Sequence, residues 1–114
     1  MSRPSRRDVQ LDQVFFALSD YRRRRVLKRL TRGPLIIKEI GAEFELSKPA
    51  VGKHVAILEQ AGLIHRIEEG RTHRCEINPK ALVSVEGWLT YYREYWSGTL
   101  DSLASYAKTI AKKP

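Results

Sequence analysis

The chain has 114 residues, with 21 Lys and Arg against 13 Asp and Glu, a formal charge of +8. This length supports one hydrophobic core, and the charge favours a polyanionic partner. A single cysteine excludes an internal disulfide and suits a reducing compartment; the absence of a bilayer-length apolar run and of a secretory leader makes the chain read as cytoplasmic. No glycine-rich phosphate loop, nucleophile elbow or spaced carboxylate pair is present, so no enzyme reading has candidate residues.

Residues 1–9, including Ser2-Arg3-Pro4-Ser5-Arg6-Arg7, lack apolar periodicity and read as a basic disordered arm. A helix over about 11–19 then places Leu11, Val14, Phe15 and Leu18 on one face. A second helix, 20–31, turns Val26, Leu27 and Leu30 inward and carries the run Arg22-Arg23-Arg24-Arg25. Nine basic but only three acidic residues lie in 1–31, so positive charge gathers at this end. On a helix the four consecutive arginines point in nearly four directions, so at most two can approach one phosphate strand. Arg23 is as suited to pairing with Asp20 as to meeting phosphate. A short strand at Leu35-Ile36 follows, then a short helix from Ile37 to Phe44 with Ile37, Ile40 and Phe44 on one side.

Glu45-Leu46 forms a tight turn into the most informative segment, Leu46 to Ile64. Ser47 is an N-cap, and Pro49 follows where its missing N–H costs nothing. Val51, Val55, Leu58 and Ala61 recur as one apolar stripe, leaving a free face of small or cationic residues, Lys48, Gly52, Lys53 and Ala56. Gly62 supplies the left-handed residue that ends the helix. Two helices joined by so short a turn make a helix-turn-helix. Strand-like runs at 63–67 and 73–77 flank Glu68-Glu69-Gly70-Arg71-Thr72, with Gly70 at the tip of a hairpin. Such a hairpin is a wing beside a DNA-reading helix. The expected DNA contacts are Ser47, Lys48, Pro49, Gly52, Lys53 and His54 on the helix, with Arg71, His73 and Arg74 on the wing. The bland alternative is an interaction module whose helices bind protein and whose basic charge only aids solubility.

The last segment starts at Pro79 and runs to about Lys112. Leu82, Val85, Leu89, Tyr92, Trp96, Thr99, Leu103, Tyr106 and Ile110 recur at steps of three and four, beside Trp88, Tyr91 and Tyr95. A helix of about 30 residues is ~45 Å long, more than a small core can cover. A second copy is the economical cover. Leu11, Val14, Phe15, Leu18, Leu89, Tyr92, Trp96, Leu103 and Tyr106 are the expected two-fold dimer interface. The domain plan is therefore an arm at 1–9, a winged helix-turn-helix DNA-binding domain at 10–78, and a dimerisation helix at 79–114 of the same structural domain.

The runs Ala17-Leu18-Ser19-Asp20, Arg23-Arg24-Arg25-Val26-Leu27, Gly33-Pro34-Leu35, Leu46-Ser47-Lys48-Pro49-Ala50-Val51, Lys53-His54, Leu58-Glu59-Gln60-Ala61-Gly62-Leu63-Ile64 and Glu69-Gly70-Arg71, in this order, resemble the ArsR/SmtB family of winged-helix regulators. The resemblance covers roughly residues 10–80 and implies a mainly α fold with a small β-hairpin wing. It also implies a homodimeric prokaryotic transcriptional regulator, usually a repressor, bound to a double-stranded DNA operator with an inverted repeat. A small-molecule inducer is compatible with this reading, and none is identified.

The family's metal sensors resemble one another in carrying a cysteine pair before the recognition helix, or Asp and His ligands on the last helix. Here residues 37–44 hold no cysteine or histidine and the last helix holds no histidine, so neither usual metal site forms and no cofactor is expected. His65, His73 and Cys75 remain as soft ligands near the wing, the basis of an alternative metal-sensor or redox-sensor reading. The chain departs from the family pattern at three places. Tyr21-Arg22 replaces a Pro-Thr pair, Ile36 stands where a Thr or Ser cap is common, and Gly52 stands where a hydrogen-bonding residue is frequent. The second departure predicts an irregular helix start, and the third implies either very close approach to DNA or weak base readout.

Overall fold

The computed structural model describes residues 2–111; residue 1 and residues 112–114, the outer ends of the expected arm and last helix, lie outside the described residues. The elements are α1 (Arg6–Leu18), α2 (Tyr21–Leu30), β1 (Leu35–Ile36), α3 (Ile37–Glu43), α4 (Lys48–Gln60), β2 (Ile64–Glu69), β3 (Thr72–Ile77), one 3-10 turn (Pro79–Ala81) and α5 (Leu82–Ala111). Two compact units divide after Ser84.

In the first unit, α1 starts five residues earlier than the apolar pattern suggests. Ser5 Oγ accepts from the Asp8 N–H at 3.1 Å, and Asp8 accepts from the Ser5 N–H at 2.8 Å. This capping box satisfies two donors of the first turn. The expectation of a disordered arm over 1–9 is thus corrected: residues 6–9 are helical, although solvated arginines hide the periodicity there. α2 is capped by Asp20, whose carboxylate accepts from the Arg22 N–H at 2.7 Å. The Arg22 guanidinium also donates to Asp20, at 3.2 and 2.9 Å, and holds its carboxyl well below the usual carboxylate range. α3 begins regularly despite Ile36, because the Glu39 carboxylate accepts from the Ile36 N–H at 3.0 Å.

α3 and α4 meet through a backbone that leaves no slack. Glu45 takes a left-handed φ of 54°, and the Leu46 N–H donates back to Gly41 O at 3.0 Å, a closing bond that usually employs glycine at the left-handed position. A methyl group on Gly41 would stand 3.2 Å from Val51 Cγ2 and 3.4 Å from Leu46 O. α4 ends on the same device with Gly62 at φ 75°; Leu63 N–H bonds Leu58 O at 3.0 Å and Gly62 N–H bonds Glu59 O at 2.9 Å.

The wing belongs to a three-stranded antiparallel sheet in the order β1-β3-β2. Leu35 pairs with Cys75 on one side of β3 and Arg66 pairs with Cys75 on the other. Glu69 pairs with Thr72 across a two-residue turn in which Gly70 has φ 64°. The core gathers Val14, Val26, Ile40, Val51, Val55, Leu58, Leu63 and Ile64 from the helices and sheet, all nearly inaccessible. Val14 is fully buried there, which removes it from the expected dimer face: it lies on the inner side of α1 beside Ala17, whereas Phe15 is exposed and Leu11 and Leu18 are half-buried.

The second unit is one helix, the remainder of α5 from Val85. Trp88, Tyr91, Tyr92 and Trp96 stack along it, with ring centroids 4.8 Å apart for Trp88–Tyr92, 5.0 Å for Tyr91–Tyr92 and 5.6 Å for Tyr92–Trp96. Leu89, Trp96, Leu103, Tyr106 and Ile110 are exposed. No described helix is long and apolar enough to cross a membrane.

Two glycines give opposite expectations for one substitution. Gly52 lies inside α4, and a methyl group there meets nothing within 4 Å, so Gly52→Ala should raise the thermal midpoint by up to roughly 4 °C, the equivalent of ~1 kcal/mol of helix propensity. Gly41→Ala should lower it, because both neighbours are constrained, one a buried side chain and one backbone, and overpacking costs about 1–3 kcal/mol. Melting both variants at one protein concentration checks the pair; equal shifts would show that α3 and α4 yield at their contact.

Candidate nucleic-acid interface

α4 has a capped start, a buried side and a bare side. Ser47 Oγ accepts from the Ala50 N–H at 3.3 Å, which fixes the first turn. Ser47, Lys48, Pro49, Gly52 and Lys53 are all exposed, and neither lysine makes an ion pair among the described residues. The bare side therefore offers positive charge, with open space above Gly52.

His54 does not join that set. Its exposure is 6%, and it lies in the buried stripe with Val51, Val55 and Leu58. The spacing Val51-His54-Val55-Leu58 places it there; counting histidine as a polar surface residue conceals that. The ring Nδ1 is 3.2 Å from Arg23 Nη1. Burial, then the cationic Arg22 with Arg23 and Lys53, push its pKa down, and Asp20 opposes them.

Arg23 is likewise buried, so it is unavailable to phosphate. Its Nε donates to Ala17 O at 2.8 Å and its Nη2 to Phe16 O at 3.0 Å. Asp20 Oδ2 lies 4.0 Å away, the pairing that the sequence allowed. Of the other arginines in the run, Arg22 pairs with Asp20, Arg24 donates to Leu18 O at 2.7 Å, and Arg25 stacks over the Tyr21 ring at 4.9 Å.

The wing presents its cations unequally. Arg71 stands exposed at the tip with no ion pair among the described residues. Arg74 Nη2 is bound to Glu69 Oε1 at 3.1 Å, and His73 Nδ1 is 3.8 Å from Glu68 Oε1; both basic side chains are half-buried. A feature the sequence reading missed is a groove between the end of α2 and the end of α3, about 240 Å³, lined by Arg25, Lys28, Arg29, Thr31, Arg32, Glu43 and Phe44. Glu43 takes Arg29 at 3.1 Å, while Lys28 and Arg32 have no ion pair among the described residues. The cationic spacing along α2 was visible, but its juxtaposition with α3 is a tertiary fact.

The three soft ligands of the wing do not converge. His65 pairs with Glu76, while Arg66 pairs with Cys75, so strand alternation puts His65 on the face opposite Cys75. Cys75 is completely buried between β1 and β2, and that burial pushes its thiol up, against both metal binding and an intersubunit disulfide. Among the described residues no group of three His, Cys, Asp or Glu side chains could hold a metal ion.

Residues 20–66 match the family described as bacterial regulatory protein, arsR family. The HTH-type transcriptional regulator Rv2034 of Mycobacterium tuberculosis is 29% identical over 99 residues, 87% of each chain. The transcriptional repressor SdpR of Bacillus subtilis is 32% identical over 79 residues, 69% of this chain and 88% of that one. The crystal structure of an ArsR family transcriptional regulator, RHA00566, superposes with a TM-score of 0.74 at 36% identity, covering 85% of this chain and 97% of the other. The helix-turn-helix, the wing and this degree of identity along most of both chains place the protein in the ArsR family of bacterial regulatory proteins, transcriptional regulators rather than enzymes.

Proposed function

We propose that this chain is a homodimeric repressor that acts in the cytoplasm by binding an inverted-repeat operator through the bare side of α4. The observation that carries the reading is the contrast between the two sides of α4: Val51, Val55 and Leu58 are buried, while Lys48, Gly52 and Lys53 face solvent, the lysines with no ion pair among the described residues. Lys48 and Lys53 supply phosphate or base-edge contacts, and Ser47 and Pro49 stand at the helix end that enters the major groove. Gly52 has no packing reason to be glycine, so its use is to let the backbone approach the bases. At the wing, Arg71 takes a phosphate or the minor-groove edge, with His73 and Arg74 as secondary contacts. A relative that is named a transcriptional repressor supports the sign of regulation.

A second copy of the chain covers the exposed Leu89, Trp96, Leu103 and Tyr106 of α5, together with the half-buried Tyr92 and with Leu11, Phe15 and Leu18 of α1. Two-fold symmetry then presents two recognition helices to half-sites about one DNA turn apart, ~34–36 Å.

Selection from a random DNA pool should enrich an inverted repeat. Salt-insensitive binding to a protein partner, with no enriched DNA, would establish an interaction module instead. Arg71→Ala should weaken binding to operator and random DNA alike and reduce the salt slope by about one unit; an unchanged slope would remove Arg71 from the phosphate contacts. Trp96→Asp combined with Leu103→Asp should reduce the mass read by light scattering from two chains to one, and retention of the two-chain mass would place the interface elsewhere.

A further inference from the structure

The side of α4 that faces inward carries a polar contact of its own, and that contact spans three helices. Arg23 comes from α2, accepts its position from the last-turn carbonyls of Phe16 and Ala17 in α1, and reaches His54 in α4. Arg23 and His54 are each 6% exposed. The guanidinium has five donors and no acceptor, so the 3.2 Å contact requires a lone pair on His54 Nδ1. The ring is consequently neutral, with its proton on Nε2. The other two Arg23 bonds go to carbonyls at the end of α1, Ala17 O and Phe16 O, the second of which also takes the N–H and hydroxyl of Ser19, and they tie Arg23 to α1.

We propose that Arg23 and His54 are positioning residues for operator recognition, their hydrogen bond setting the orientation of α4 against the corner between α1 and α2. This rests on the reading of α4 as the DNA-contacting helix. Lys53 precedes His54 on the bare side, so a small rotation of the helix about its axis moves Lys53 and Gly52 together across the groove. A displacement of about 1 Å is enough to spoil bidentate contact to a base edge while leaving attraction to phosphate nearly intact. The contact therefore acts on discrimination between operator and random DNA more than on total charge attraction.

The contact also has a defined response to acid. The charged groups acting on His54 are Arg22, Arg23 and Asp20 from α2 and Lys53 from α4; α1 contributes the carbonyls that hold Arg23. A proton on Nδ1 sets donor against donor and cation against cation in a buried position. The folded-state pKa of His54 lies below the ordinary histidine value of about 6.5, so the stability it provides is complete above that pH and is lost as pH falls below it.

The test compares wild type, His54→Asn and His54→Leu on the selected operator and on random DNA at pH 7.5 and pH 5.5, with melting of each protein without DNA. Asparagine retains an acceptor near the place of Nδ1 and does not titrate; leucine fills the space with no acceptor. His65 and His73 are present in all three proteins, so their effect cancels in the comparison. The operator-to-random ratio of His54→Leu should be several-fold low at pH 7.5 with an unchanged salt slope, that of His54→Asn should be held at both pH values, and any loss of ratio that wild type shows on acidification should be absent from His54→Asn. Equal acid losses in wild type and His54→Asn, a several-fold loss in His54→Asn at pH 7.5, or a full ratio in His54→Leu would each overturn the proposal. Acid-sensitive melting in wild type but not in His54→Asn, with no DNA preference at either pH, would uphold the contact and overturn both the DNA reading and this role within it.

Discussion

α4 is thirteen residues long and must bury one side while leaving the other bare, and most of the surrounding structure follows from that division. Val51, Val55 and Leu58 are inserted between α1, α2 and the sheet, and their burial fixes the rotation of the helix. The left-handed Glu45 and Gly62 bound it at either end, and the missing side chain at Gly41 lets α3 come close enough to close the core from above. None of these features touches the bare side, yet each determines where Lys48 and Lys53 stand. Recognition chemistry on such a helix is set by its hydrophobic neighbours as much as by the residues that meet the ligand.

The arginine run divides the labour of one charge type. Arg22 secures the start of α2 through Asp20, Arg23 is consumed by α1 carbonyls and His54, Arg24 reaches Leu18 O, and Arg25 lies over Tyr21. Four adjacent cations thus serve four local purposes, as the divergence of successive helical positions dictates. The net charge of the chain is a poor guide to its DNA-facing charge, because the cations without carboxylate or carbonyl partners are fewer than the composition implies.

Short-range signals were the legible ones. The cap at Ser47, the apolar stripe of α4, the stop at Gly62 and the hairpin tip at Gly70 each act within a few residues, and each stands where the sequence places it. Ser5 and Asp8 were equally local, but the solvated arginines between them masked a helix start. What was illegible depended on distant partners. That Val14 faces the core rather than a second copy, that β1 pairs with β3, and that Gly41 must receive Val51 are consequences of packing that no window along the chain contains. His54 lies between these cases: its spacing places it in the stripe, and only the Arg23 guanidinium beside it explains how a polar ring is tolerated there.

The wing carries its own anions. Glu69 holds Arg74 in the manner that a phosphate oxygen would, and Glu68 stands 3.8 Å from His73. When such a side chain turns to DNA it exchanges one oxyanion for another, and the displaced carboxylate is left facing a polyanion. The electrostatic gain from that exchange would therefore be smaller than for a cation such as Arg71, which has no ion pair among the described residues. Built-in competitors of this kind would temper the indiscriminate adhesion to DNA that a strongly basic small protein invites.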